Sequence, residues 1–406
     1  MRTDATNVEV RGMSFRLRPD PAYLPDAHDH GALLLAETAS IRESDDVLAV
    51  GGGSGLVPLV AAKLASRGQV CAVCGQVAAA GQVESAAWLN GLSNVRVLRS
   101  ADLTPLRDRS FDVALLQIAL ATSSATLYRD LEQAALVLRP GGRCYLAGGK
   151  RQGIVSAAGR LEGIFGNVRT VAYRKGHRVL LAVRGDQVRA SWRQGVEQLE
   201  TVELRGRTYE VAVREGVFAG GTLDEGTRLL IEALQVRRTD VVLDLGCGSG
   251  LLGLAAAALA AEGRVYLVDS DVAAVELARA NLRRNGVANA VALESDGFSA
   301  LGDVQFDVIA TNPPFHVGRH QTTAVAERFV EQSARHLRRS GRFYLVANRF
   351  LRYEPVVEAA FGNVRLVSET SRYKVLLAIR GRREGAIPPP RSAAAPIKGS
   401  RRQWKG

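Results

Sequence analysis

The chain repeats itself, and that repetition constrains its fold more than any other feature. Phe165-Gly166-Asn167-Val168-Arg169 returns as Phe361-Gly362-Asn363-Val364-Arg365, 196 residues later, and Val179-Leu180-Leu181-Ala182 returns as Val375-Leu376-Leu377-Ala378 at the same offset. Gly51, Gly53, Ser54 and Gly55 match Gly246, Gly248, Ser249 and Gly250 at an offset of 195, as do Asn90-Gly91 with Asn285-Gly286 and Phe111-Asp112-Val113 with Phe306-Asp307-Val308. Near the start, Val8-Glu9 and Arg11-Gly12 match Val202-Glu203 and Arg205-Gly206 at 194. A register this steady requires one fold made twice. The 406 residues therefore divide into a first domain (1–186), a linker (187–201), a second domain (202–381) and a tail (382–406).

Composition narrows the setting. The longest apolar runs, such as 254–261, fall well short of the ~20 residues that cross a bilayer, and residues 1–20 lack an apolar signal core. Four cysteines in so long a chain do not form a disulfide framework, so a cytoplasmic protein is expected, and no membrane partner and a monomeric state are expected with it. Net charge is +12, and the last 26 residues carry seven Lys/Arg against one acid, Glu384, with four prolines between them. That stretch reads as a disordered basic tail, and the overall balance favours a polyanionic partner.

In the second copy, 202–204 and 208–213 flank Gly206 and alternate as a hairpin does. The strand Val241-Val242-Leu243 runs into Asp244-Leu245-Gly246-Cys247-Gly248-Ser249-Gly250, and a Leu/Ala helix follows. A second apolar strand, 265–268, ends at Asp269, after which Asp271 caps a helix that stops at Asn285-Gly286. Further strands at 290–293, 306–310 and 342–346 alternate with helical stretches. This is the pattern of an α/β fold with a mostly parallel, doubly wound sheet. The final strands, 364–367 and 375–379, are joined by a short polar turn and form an antiparallel hairpin at the sheet edge.

The glycine turn after the first buried strand lets a ligand lie against bare backbone at a helix N-terminus, a geometry that also suits dinucleotide folds. Asp269, at the end of the next strand, is placed to accept both hydroxyls of a ribose. Asn312-Pro313-Pro314-Phe315 closes the fourth strand, where open α/β sheets bind their ligands. Two prolines fix a loop that offers the Asn312 amide and the Pro313 carbonyl to a planar NH₂, with Phe315 as a face for its ring.

Together with Asp296, these residues resemble the class I S-adenosylmethionine-dependent methyltransferases that act on amino nitrogens. The form Asn-Pro-Pro-Phe-His, the upstream Gly216-Val217-Phe218 and Leu223-Asp224-Glu225-Gly226-Thr227, and the duplication resemble the ribosomal RNA guanine-N2 methyltransferases of the small-subunit (16S) type. The resemblance implies two tandem Rossmann-like domains, S-adenosyl-L-methionine as cofactor, and ribosomal RNA or a ribosomal subunit as partner. It implies a cofactor set of Asp244, Gly246, Gly248, Gly250, Asp269, Asp296 and Thr227, with Asp244 fixing the glycine loop and Phe298 beside Asp296 at the adenine. The transfer set is Asn312, Pro313 and Phe315. No metal is implied.

The first copy lacks this chemistry. Opposite Asp244, Asp269 and Asp296 stand Ala49, Cys74 and Ala101, and opposite Asn312-Pro313-Pro314-Phe315 stands Gln117-Ile118-Ala119-Leu120. It reads as a degenerate domain kept as scaffold and RNA-binding surface. Cys71-x-x-Cys74 lies in a strand whose alternation sends the thiols to opposite faces, which fits burial and not a metal or redox pair. Rival functions are methylation of adenine N6 or of a protein glutamine amide, and a non-catalytic RNA-binding assembly factor.

Overall fold

The computed structural model describes residues 5–18, 29–51, 53–118, 123–192, 197–214, 217, 223–314, 316–317, 320–321 and 323–381. The basic tail lies outside the described residues. The first half comprises β1 (Thr6–Val10), β2 (Met13–Leu17), α1 (His30–Thr38), β3 (Val47–Val50), α2 (Leu56–Leu64), β4 (Val70–Cys74), α3 (Val77–Leu89) and β5 (Val95–Arg99). It continues through β6 (Phe111–Gln117), α4 (Ser124–Val137), β7 (Leu138–Gly149), α5 (Ile154–Phe165), β8 (Arg169–Arg174) and β9 (His177–Val183). The second half repeats the series. It has β10 (Glu197–Leu204), β11 (Arg207–Arg214), α6 (Glu225–Ala233), β12 (Val241–Leu245), α7 (Leu251–Leu259), β13 (Arg264–Asp269) and α8 (Val272–Arg284). After these come β14 (Ala290–Glu294), β15 (Phe306–Thr311), β16 (His316–Val317), β17 (His320–Gln321), α9 (Ala324–His336), β18 (Leu337–Asn348), α10 (Glu354–Phe361), β19 (Arg365–Glu369) and β20 (Tyr373–Ile379).

Each half builds one seven-stranded sheet, in the orders β5-β4-β3-β6-β7-β9-β8 and β14-β13-β12-β15-β18-β20-β19. The first five strands of each order are parallel and the last two antiparallel, as the short final turn requires. Apolar clusters cover both faces of the second sheet, which is why β12 needs no polar alternation. The opening hairpins turn through Arg11-Gly12 (φ 52° and 70°) and Arg205-Gly206 (φ 50° and 74°), the paired left-handed residues of a tight two-residue turn. Each turn arginine then donates to carbonyls at a helix end. Arg11 reaches Ala36 and Ala39 at 2.9 and 2.6 Å, and Arg205 reaches Ile231 and Leu234 at 3.0 and 2.7 Å.

The linker is shorter than 187–201. Residues 197–201 form the start of β10, with Glu197 opposite Arg214, and their polar ribbon pattern conceals the strand. Before it, Val188, Ala190 and Trp192 pack on the first half's core, Arg107 lies 5.6 Å over the Trp192 ring, and the Arg189 N–H donates to the Ile164 carbonyl at 2.9 Å.

The halves touch through equivalent residues. The Val77 N–H donates to the Ser270 carbonyl (2.8 Å), and the Val272 N–H donates to the Gly75 carbonyl (3.0 Å). Since 75 and 77 match 270 and 272 at the repeat offset, the contact is a pseudo-two-fold one, made at the carboxyl ends of β4 and β13. The Ser270 hydroxyl also donates to Gln76 Oε1 at 2.7 Å. No described helix is long and apolar enough to cross a membrane.

Candidate active site

Strand β12 delivers the chain directly into the glycine turn. Gly246, Gly248 and Gly250 have φ of +78°, +53° and +84°, a left-handed backbone that other residues rarely adopt. The N–H groups of Gly246 and Cys247 donate to the Val268 carbonyl at 2.8 and 2.9 Å, tying the turn to β13. Above Gly248 the space is open, because a Cβ built there would meet nothing within 4 Å.

Asp269 ends β13 beside that opening. Its Oδ2 accepts from the Gly248 N–H and its Oδ1 from the Asp271 N–H, both at 2.9 Å. Burial raises its pKa above the ordinary carboxylate value, and the neighbouring backbone N–H groups oppose the rise. Each carboxylate oxygen accepts more than one hydrogen bond, so capacity remains for a diol. Asp244 has another task. It is buried, its Oδ2 accepts the Gly253 N–H at 2.9 Å, and it therefore fastens the first turn of α7. Burial pushes its pKa up to about 8 against the Gly253 hydrogen bond, and the nearby Asp269 charge adds to the rise.

At the end of β14, Asp296 accepts from Arg328 at 2.6 Å. Phe298 follows Asp296 by two residues. Its ring is buried and stacked on His336 with centroids 4.4 Å apart, because the turn after Asp296 carries it to the core side.

Asn312 follows β15. Its Nδ2 donates to Thr227 Oγ1 at 2.9 Å and lies 3.4 and 3.5 Å from the Asp224 carboxylate oxygens. Thr227 in turn donates to Asp224 Oδ2 at 2.5 Å, while Asp224 caps α6 through the Thr227 N–H at 3.0 Å. These acceptors fix which end of the amide is nitrogen, so Asn312 Oδ1 is left as an acceptor on the other side. Sequence reasoning missed this relay and placed Thr227 with the cofactor. The available signal was in the repeat, where Ala32 stands opposite Thr227. Pro313 is buried at the same strand end. Phe315, Gly216 and Phe218 lie outside the described residues, as does the side chain of His316.

The first half keeps the frame and fills the space. Gln117, opposite Asn312, donates through Nε2 to Asp29, the counterpart of Asp224. Its longer side chain places Oε1 3.6 Å from where a Gly53 Cβ would sit, in the position that stays open over Gly248. Cys74, opposite Asp269, is fully buried, with its thiol pushed up to about 12. Cys71 and Cys74 belong to different core clusters, as opposite faces require.

The profile of the methyltransferase small domain matches residues 20–181 and 208–377, once in each half. The ribosomal RNA small subunit methyltransferase C of Pseudomonas entomophila (strain L48) is 35% identical over 274 residues, covering 67% of this chain and 80% of that protein. Its namesake from Stutzerimonas stutzeri (strain A1501) is 35% identical over 272 residues, with the same two coverages of 67% and 80%. Among solved structures, a T. thermophilus 16S rRNA N2-guanine methyltransferase in complex with AdoMet and guanosine superposes with a TM-score of 0.80 at 30% identity. That match covers 93% of this chain and 98% of the other. The match of one domain profile to both halves, together with these relatives, places this chain in the methyltransferase small-domain family, among the ribosomal RNA small subunit methyltransferase C proteins.

Proposed function

We propose that the second half transfers a methyl group from S-adenosylmethionine to the exocyclic N2 amine of a guanine in small-subunit ribosomal RNA. The observation that carries this reading is the Asn312 amide, whose nitrogen is held by Thr227 and whose carbonyl is left to receive an N–H. Gly246, Gly248 and Gly250 would line the methionine and ribose of the cofactor, Asp269 would hold the ribose hydroxyls, and Asp296 would meet the adenine. When bound, the cofactor supplies a sulfonium-activated methyl group. The protein's work is then mostly positional. Asn312 Oδ1 and the Pro313 carbonyl accept the amine's hydrogens, orient its lone pair and stabilise the positive charge that develops on nitrogen. The departing proton passes to solvent. Phe315 would stack on the guanine, which must leave any helix to reach the site. The first half serves as scaffold and RNA-binding surface, and the enzyme works as a cytoplasmic monomer.

Adenine N6 and a glutamine amide offer similar hydrogens, but the relative solved with guanosine favours guanine. The test is transfer of labelled methyl to unmodified small-subunit rRNA, followed by digestion to nucleosides and mass analysis. N2-methylguanosine is expected. Label in N6-methyladenosine or in protein would overturn the assignment, and failure to bind S-adenosylmethionine would leave a non-catalytic RNA-binding factor.

A further inference from the structure

Strands β15 and β18 are parallel neighbours, with Thr311 opposite Leu345, so both chains leave the sheet at the same edge. One leads into Asn312, and the other ends at Asn348 and turns sharply, with the Leu351 N–H donating to the Asn348 carbonyl at 3.0 Å. That turn sends Leu351 and Tyr353 into the core at 9% and 1% exposure and throws Phe350 outward at 62%. Across β18, Asn348 pairs with Tyr373, whose ring lies 3.0 Å from where a Gly226 Cβ would sit, next to Thr227. Phe350 therefore stands on the rim of the site that holds Asn312.

The rim is basic. Arg349 is half exposed and pairs with Glu369 at 3.3 Å, and Arg352 is exposed with no carboxylate partner among the described residues. Folding gains little from a phenylalanine left in water, and the shorter turn at this place in the first half, Lys150–Gln152 closed by Gly153 (φ 88°), carries none. Counted from the strand end, the turn after β7 carries Lys150-Arg151 where this one carries Arg349-Phe350. The charge is kept in both halves, and the aromatic ring stands only beside Asn312. An exposed ring among arginines is the pattern that grips single-stranded RNA, with a base on the ring and phosphates on the cations.

We infer that Phe350 is the stacking platform for an unpaired nucleotide flanking the methylated guanine, with Arg349 and Arg352 on its phosphates. This rests on the RNA reading above, and the experiment separates the two. Single-turnover transfer is measured with unmodified small-subunit rRNA and with guanosine as a minimal acceptor, alongside calorimetric S-adenosylmethionine affinity. Phe350→Ala should raise the RNA concentration for half-maximal rate about five- to hundredfold, the range of base stacking, with guanosine transfer and cofactor affinity unchanged. Phe350→Trp should restore RNA use, and Arg352→Gln should lower the salt slope of RNA binding by about one. An unchanged RNA requirement in Phe350→Ala, or an equal loss with guanosine, overturns the inference. Parent enzyme that transfers to neither acceptor refutes the proposed function, and the stacking inference falls with it.

Discussion

Thr227→Val separates two roles for one hydroxyl. In the structure Thr227 Oγ1 accepts from Asn312 Nδ2 at 2.9 Å, whereas the alternative acceptors on Asp224 lie at 3.4 and 3.5 Å, too far to hold the amide alone. Valine keeps the shape and removes the acceptor, which costs the amide about 1–1.5 kcal/mol of its preference for the reactive orientation. Since about 1.4 kcal/mol is tenfold in rate, single-turnover transfer should fall roughly five- to tenfold. Asn312→Ala, which removes the acceptor altogether, should cost about a hundredfold. S-adenosylmethionine affinity, measured by calorimetry, should stay near the parental value, and Thr227→Ser should recover the rate. If affinity falls by the same factor as the rate, the hydroxyl belongs to the cofactor site and the relay is wrong. If neither changes, the amide is held by something else.

Asp269→Ala should weaken S-adenosylmethionine binding by about 1.5–3 kcal/mol, and calorimetry of the parent should show a single site; two equivalent sites would contradict the filled cradle over Gly53. Asp244 should make the fold less stable as pH rises. Its pKa is raised from 3.8 to about 8, so between roughly pH 4 and 8 the folded state holds a proton that the unfolded chain has lost. Asp244→Asn has no such proton to lose, so its Tm relative to the parent should climb from pH 5 to pH 8, and a flat difference would refute the argument. Gln76→Ala removes the acceptor for the Ser270 hydroxyl, one residue from Asp269, and should weaken cofactor binding several-fold; parental affinity would show that the first half does not steady that loop.

The sequence reveals what depends on local pattern. The helix from Asp271 to Asn285 was readable because a capping carboxylate and an Asn-Gly stop bracket it, and the structure places α8 between them. The sheet edge followed from one short turn. By contrast, β10 extends through charged residues of an exposed ribbon, where no apolar alternation marks a strand. The stacking of Phe298 on His336 was likewise not readable, since the partners lie 38 residues apart. The Thr227–Asn312 contact joins residues 85 apart in sequence and depends on α6 packing across β18 and β20, which brings its first turn to Asn312. No local signal encodes it.

The two copies also act as an internal control on which residues the fold requires. Gly51, Gly53 and Gly55 persist in the first half with φ of +112°, +50° and +86°, because any chain turning from that strand into that helix needs a left-handed backbone there. Asp29 persists because it caps α1, accepting from the N–H groups of Gly31 and Ala32 at 3.0 Å. Among the positions that differ, Asp244 keeps a local duty through the Gly253 N–H, and Asp269 accepts from the Gly248 and Asp271 N–H groups. Cys74 stands opposite Asp269 and Ala32 opposite Thr227, and the first half still forms the strand and the cap. In the function proposed above, the residues that the second half carries beyond the first, Asp244 aside, would meet ligands, and they gather at the carboxyl ends of β12, β13, β15 and β18. The pseudo-two-fold contact meets that group at the loop after Asp269, where backbone hydrogen bonds to the first half restrain the segment that would hold the ribose. A copy stripped of its own chemistry can still serve its neighbour in this way, since the restraint comes from Gly75, Gln76 and Val77 and needs no cofactor of its own.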